Sequence, residues 1–218
     1  MKDSFDNFLT EDMLGSSDMF PIISLDERTS ELNIISGDVL PILPLRNMVL
    51  YPGVLLPVAV ARPKSLKLIR AAHENDLLIG VCTQLDKKTD DPTIDQLFPM
   101  GTVASVVRIL EMPDNSTTVI LEGKKRFQLG DLETSKPYMK AHVQLVDDIL
   151  PDMNDGVFQA LYSSIKDLAT NIINNSGIMS PEMAFAIRNI ENPTFLINYI
   201  CVNFGINVKE KQRLLEID

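Results

Sequence analysis

The chain has 218 residues, 45% of them apolar and 6% aromatic, with a formal net charge of −10, which is long enough to bury one large core or two small ones. The acidity is concentrated: residues 1–38 hold nine acids against Lys2 and Arg28, which leaves only −3 on the other 180 residues. A nearly balanced body argues against nucleic acid as the main partner, since phosphate binding needs a concentrated basic face, and no run approaches the roughly 18–20 apolar residues of a membrane span.

The opening segment MKDSFDNFLTEDMLG has no basic stretch leading into an apolar core, so it does not read as a secretory signal, and it is too acidic for a transit peptide. A cytoplasmic protein is expected. Residues 1–38 read as an acidic, mostly flexible leader, in which FPIISLDE and ELNIIS are the segments able to add a turn or an edge strand.

From residue 39 to residue 150 the pattern is β. In LPILPLRNMVLYPGVLLPVAV, Pro41, Pro44, Pro52 and Pro57 forbid a long helix, because each lacks a backbone donor and clashes with the preceding turn. The segment predicts short strands joined by a tight turn at Tyr51-Pro52-Gly53, with prolines at strand ends or edges. One helix follows, opened by Pro63, with Leu66, Ile69, Arg70 and His73 at helical spacing. LLIGVCTQL (77–85) has the length and β-branching of a buried strand. A polar loop then leads to GTVASVVRILEMP (101–113), which pairs across Asp114–Ser116 with TTVILEG (117–123) as a hairpin. RFQLGDLE and YMKAHVQLVDD bring the total to six or seven strands, and short strands around one helix suggest a small coiled barrel.

After Pro151 the period changes. Val157, Leu161, Ile165, Leu168 and Ile172 recur at steps of four and three, one apolar stripe on a helix. Ser180-Pro181 and Asn192-Pro193 each read as a cap followed by proline at the first helical position. Gly205 can end the second of these helices, and Asn207 can cap a last one running to the chain end. Residues 151–218 are therefore expected to form a helical bundle, giving an α+β chain overall.

Catalytic chemistry is hard to place. His73-Glu74 begins like a zincin motif, but Leu77 stands where the second histidine belongs, and Cys82 and Cys201 are too far apart for a short-spaced ligand pair. Both cysteines sit in apolar surroundings and read as free buried thiols. EGKKRF (122–127) contains Gly-Lys without the upstream glycine or following Ser/Thr of a phosphate loop, and reads as a hairpin end with a solvated basic cluster. Asp90-Asp91 and Asp147-Asp148 read as solvated charge, and no spacing marks a nucleophile with its base. What remains is surface. A turn bearing Tyr51, Val54, Leu55 and Leu56 leaves an apolar patch flanked by Arg62 and Lys64, fit for a weak peptide site. Closure of the barrel against the helical bundle by the same residues is the competing reading.

LPILPLRNMVLYPGVLLPVAVARPKSLKLIRAA and LFPMGTVASVVRILEMPDNSTTVILEGKKRF (97–127), in that order and spacing, resemble the N-terminal domain of the Lon family of ATP-dependent proteases, and KQRLLEID resembles the end of its next subdomain. The resemblance covers Val39 to Asp218. It implies a PUA-like pseudo-barrel followed by a helical bundle, a role in capturing unfolded, damaged or tagged proteins, and assembly as a hexamer. It places the ATPase module, with its ATP and Mg, and the Ser–Lys serine endopeptidase outside this chain. An excised N-terminal portion of Lon is favoured over a stand-alone PUA-like module for nucleic acid or a small ligand, because basic neighbours to stacking aromatics are lacking. The capture role transfers to the matching segment, with Tyr51, Val54, Leu55, Leu56, Arg62, Lys64 and Lys67 as candidate substrate contacts. No catalytic or metal residue transfers, and no cofactor is expected in this chain.

Overall fold

A computed structural model describes residues 22–23, 36–113, 116–177 and 179–217. The expectations for a flexible leader and for ELNIIS fall outside the described residues, apart from a two-residue strand in FPIISLDE, β1 (Ile22–Ile23). The β-rich part continues with β2 (Val39–Leu45), β3 (Val54–Val60), helix α1 (Pro63–Glu74), β4 (Ile79–Thr83), β5 (Met100–Glu111), β6 (Thr117–Thr134) and β7 (Lys140–Leu145). Four helices follow: α2 (Gly156–Ser176), α3 (Pro181–Asn189), α4 (Pro193–Asn203) and α5 (Val208–Leu215).

The seven strands form one sheet in the order β1-β3-β6-β5-β4-β2-β7, and β7 also pairs with β6. The ladder β6-β5-β4-β2-β7 therefore closes on itself, with β3 and β1 added outside. All pairings are antiparallel except β2 with β4, the pair whose connection contains α1. The longest strand, β6, merges the segments expected as two separate strands, 117–123 and RFQLGDLE, and register shifts against β5 and β7 absorb its bend.

Apolar residues lie on both faces of the ring. Leu43 and Leu45 of β2, Ile79 and Val81 of β4, and Val119 and Leu121 of β6 pack with Leu68, Ile69 and Ala72 of α1. Ile42 and Cys82, one residue away from Leu43 and Val81, fill a second core with Val103 of β5 and Phe127 of β6. A period of two distributes side chains to opposite faces, so a strand buried on both faces reads as an unbroken apolar run, as β4 does with all five residues buried.

Helix boundaries follow local chemistry. Pro63 opens α1. The Asn192 side chain accepts from Phe195 N at 3.0 Å, and that of Asn207 from Glu210 N at 3.0 Å, each satisfying an N–H that the first turn leaves unpaired. Ser180 precedes Pro181 as expected but makes no side-chain cap.

Candidate functional site

The expected apolar patch at the Tyr51–Leu56 turn is not at the surface. Tyr51, Val54, Leu55 and Leu56 are 1%, 1%, 3% and 4% exposed. Leu56 belongs to the core under α1, while Tyr51 and Val54 meet Val49, Met100, Cys201 and Leu215 where the sheet abuts α4 and α5. The reason is long-range cover. The Tyr51 hydroxyl donates to the carbonyl of Lys211 at 2.5 Å, and Asn198 Nδ2 donates to the carbonyl of Pro52 at 3.1 Å. From the other side, Gly53 N donates to Gly123 O at 2.9 Å. A Cβ at Gly123 would lie 2.1 Å from Tyr51 O, so the Gly of EGKKRF serves close approach of two backbones in the middle of β6, and the expected hairpin end is corrected.

Arg62, Lys64 and Lys67 are separate from that junction. Arg62 is half-buried and donates to Gln84 Oε1 and to Thr89 O, the latter at 3.4 Å. Lys64 pairs with Asp91 at 2.5 Å, and Arg46 pairs with Asp90. Asp90 and Asp91 are solvated as expected, 93% and 67% exposed at their side chains, and also pair across the surface with the end of β2 and with α1. Lys67 is exposed on α1.

The basic cluster on β6 departs from its expected solvation. Arg126 is 7% exposed; its Nε and Nη2 both reach Asp148 Oδ1 at 2.9 Å, and Nη1 donates to Leu215 O at 3.0 Å and to Ile217 O. Lys125 pairs with Asp147, holding that carboxyl below its ordinary range. These contacts fasten the end of α5 to the sheet.

Neither cysteine is activated as a nucleophile. Cys82 and Cys201 are free and buried, and burial pushes both thiols up, away from the reactive thiolate. Burial likewise raises Tyr51. Among the described residues no group of three or more His, Cys, Asp and Glu side chains could hold a metal ion, and no helix is long and apolar enough to cross a membrane.

Two accessible surfaces among the described residues bear on binding. The first is on α2, where four residues of the predicted apolar stripe face outward: Val157, Leu161, Leu168 and Ile172 are 69%, 59%, 62% and 50% exposed, while the fifth, Ile165, is half-buried. The inward face of the same helix uses Ala169 and Ile173, with Tyr162 beside them, against Met183, Ala184 and Ile187 of α3. The Tyr162 hydroxyl donates to Ile190 O at 2.9 Å, fixing which face turns inward. The second surface is a cleft of about 410 Å³ between Asn47, Met48, Val49 and Leu56 on one wall and Val202, Ile206, Asn207, Val208 and Lys211 on the other.

Residues 39–218 match the model of the ATP-dependent protease La (LON) substrate-binding domain. The chain belongs to the Lon substrate-binding domain family. It is 41% identical over 215 residues to the Lon protease of Flavobacterium johnsoniae and 42% identical over 219 residues to that of Parabacteroides distasonis, with 99% of this chain covered each time. It spans about a quarter of the length of these curated relatives, 26% of each. The solved N-terminal domain of Mycobacterium avium complex Lon protease superposes with a TM-score of 0.65 over 83% of this chain and 91% of its own, at 17% identity, a likeness of fold.

Proposed function

We propose that this Lon substrate-binding region captures unfolded or damaged proteins for ATP-dependent proteolysis in the cytoplasm, as the N-terminal part of a hexameric protease. The ATPase and Ser–Lys modules, with ATP and Mg, belong to the remainder of that protease. In this reading residues 39–150 form a PUA-like pseudo-barrel, residues 151–218 a helical bundle, and residues 1–38 an acidic leader.

The observation that supports the reading is the outward apolar stripe of α2. Four large aliphatic side chains between 50% and 69% exposed, on a helix whose opposite face is already packed, form a surface suited to apolar segments that folded proteins hide. Each contact is weak, and several copies on one oligomer raise the effective concentration of sites. The Tyr51–Leu56 turn acts at a distance, by holding α4 and α5 on the sheet, and the exposed Lys64 and Lys67 add contacts to acidic flanks.

The test is binding of the purified chain to a reduced, alkylated model protein and to its native form at low and high salt. Preference for the unfolded form, largely insensitive to salt, is the expected result, because apolar burial is not screened. Equal binding to both forms overturns the reading.

A further inference from the structure

The cleft between the Asn47–Val49 segment and the start of α5 combines two properties that the stripe on α2 lacks: it is concave, and it contains one cation. Its volume, about 410 Å³, falls within the roughly 300–1,000 Å³ of small-ligand sites. Met48, Val49, Leu56, Val202, Ile206 and Val208 supply apolar walls. Lys211 is half-buried, and its ammonium donates to the carbonyl of Val202 at 2.6 Å. An ammonium has three donors, and among the described residues Lys211 has no carboxylate partner. The nearby acid on the same helix, Glu210, is engaged by Asn207 Nδ2 at 2.8 Å.

We infer that this cleft binds a peptide through one apolar side chain, with an adjacent carboxylate of the peptide paired to Lys211 Nζ. That the occupant is a peptide rests on the protein-capture reading; the carboxylate is assigned from the charge of the cleft. A chain-terminal carboxylate and an acidic side chain share this chemistry. Partial burial favours such a pair, because attraction between opposite charges strengthens as water is excluded, and burial alone already depresses the Lys211 ammonium below its ordinary value. The walls are rigidly placed: the Lys211 carbonyl is the acceptor for Tyr51, and Asn207 caps α5.

The test titrates the full chain with three peptides, followed by amide chemical shifts: acetyl-Ala-Leu-Leu with a free C-terminal carboxylate, its C-terminal amide, and acetyl-Asp-Leu-Leu amide. The carboxylate peptide is expected to bind about tenfold more tightly than the first amide, the size of one charge-assisted hydrogen bond, with shifts at Val49, Val202 and Val208. Tight binding of the Asp peptide supports an acidic side chain as occupant, and weak binding of it supports a chain terminus. Equal affinity of the first two peptides, or shifts confined to other surfaces, overturns the inference. In the Lys211→Met variant, checked for an unchanged fold by its spectrum, the preference should vanish; Lys211→Arg should restore it. Failure of the capture reading appears elsewhere, as loss of preference for unfolded over native protein, so the two failures are distinguishable.

Discussion

Arg126, in the middle of β6, donates from Nη1 to the main-chain oxygen of Leu215, 3.0 Å away and 89 residues later. The same guanidinium binds Asp148 through Nε and Nη2. One side chain thus terminates α5, receives the segment after β7, and holds both on the sheet. Replacing it by methionine should keep an apolar stem in place of the aliphatic part and lose every one of these bonds. The expected cost is about 2 kcal/mol, because Arg126 is buried and its carbonyl partners lose a charged donor while Asp148 stays exposed to water, read as a lower urea midpoint. Arg126→Lys should recover only part of it, because an ammonium cannot reproduce the planar fork.

Gly123 should tolerate no side chain. A Cβ there would sit 2.1 Å from the Tyr51 carbonyl oxygen, and neither backbone can retreat without opening the turn. Gly123→Ala is expected to destabilise by more than about 3 kcal/mol, beyond the ordinary range of point substitutions, measured by thermal unfolding. A neutral result would show that the turn and β6 approach less closely than described.

Tyr51→Phe removes one hydroxyl and keeps the ring in place. Loss of its hydrogen bond to Lys211 O should cost about 1 kcal/mol, or about 2–4 °C in Tm for a chain of this size. Leu55→Ser and Leu56→Ser, at 3% and 4% exposure, should each cost about 3 kcal/mol, through a cavity and a buried hydroxyl. Any loss of substrate binding in Leu55→Ser should follow its loss of folded protein, whereas Leu56→Ser also alters a wall of the cleft beside Lys211.

His142 gives a pH signature. Its Nδ1 lies 3.1 Å from Gly37 O and its Nε2 3.4 Å from Glu133. The hydrogen bond to the Gly37 carbonyl, and then Glu133 and Asp131, raise its pKa above the ordinary 6.5. A group whose folded pKa is raised stabilises fully below its unfolded pKa, and the contribution is lost as pH rises through the folded value. The Tm of His142→Asn should therefore fall below that of the unsubstituted chain in acid and converge with it in mild alkali. A gap that widens with rising pH would mean that the imidazolium is not favoured by these neighbours.

Features governed by neighbours in sequence were legible before the structure. The Tyr51-Pro52-Gly53 turn, Pro63 at the start of α1, and the Asn192 and Asn207 caps all occur where the sequence places them, because turns and caps are decided within three or four residues. Burial decided by distant residues was not legible. Tyr51 meets Lys211 across 160 positions, and no local pattern announces that cover. Arg126 looked solvated because Lys124 and Lys125 precede it, yet alternation along β6 and the arrival of α5 bury it. On α2 the period identified an apolar stripe correctly, but a helix with two apolar arcs does not declare which one packs. Tyr162 and Ala169 decide it, and the more regular stripe is left outside.

The most direct test is the affinity for a reduced, alkylated model protein of a double variant, Leu161→Ser with Leu168→Ser, against that of the unsubstituted chain. Both side chains are mostly exposed, so stability should change by no more than about 0.5 kcal/mol per site. An affinity loss of about tenfold at an unchanged Tm, expected from removing two large apolar contacts, is the result predicted if α2 presents the capture surface. Unchanged affinity in a folded double variant would contradict it.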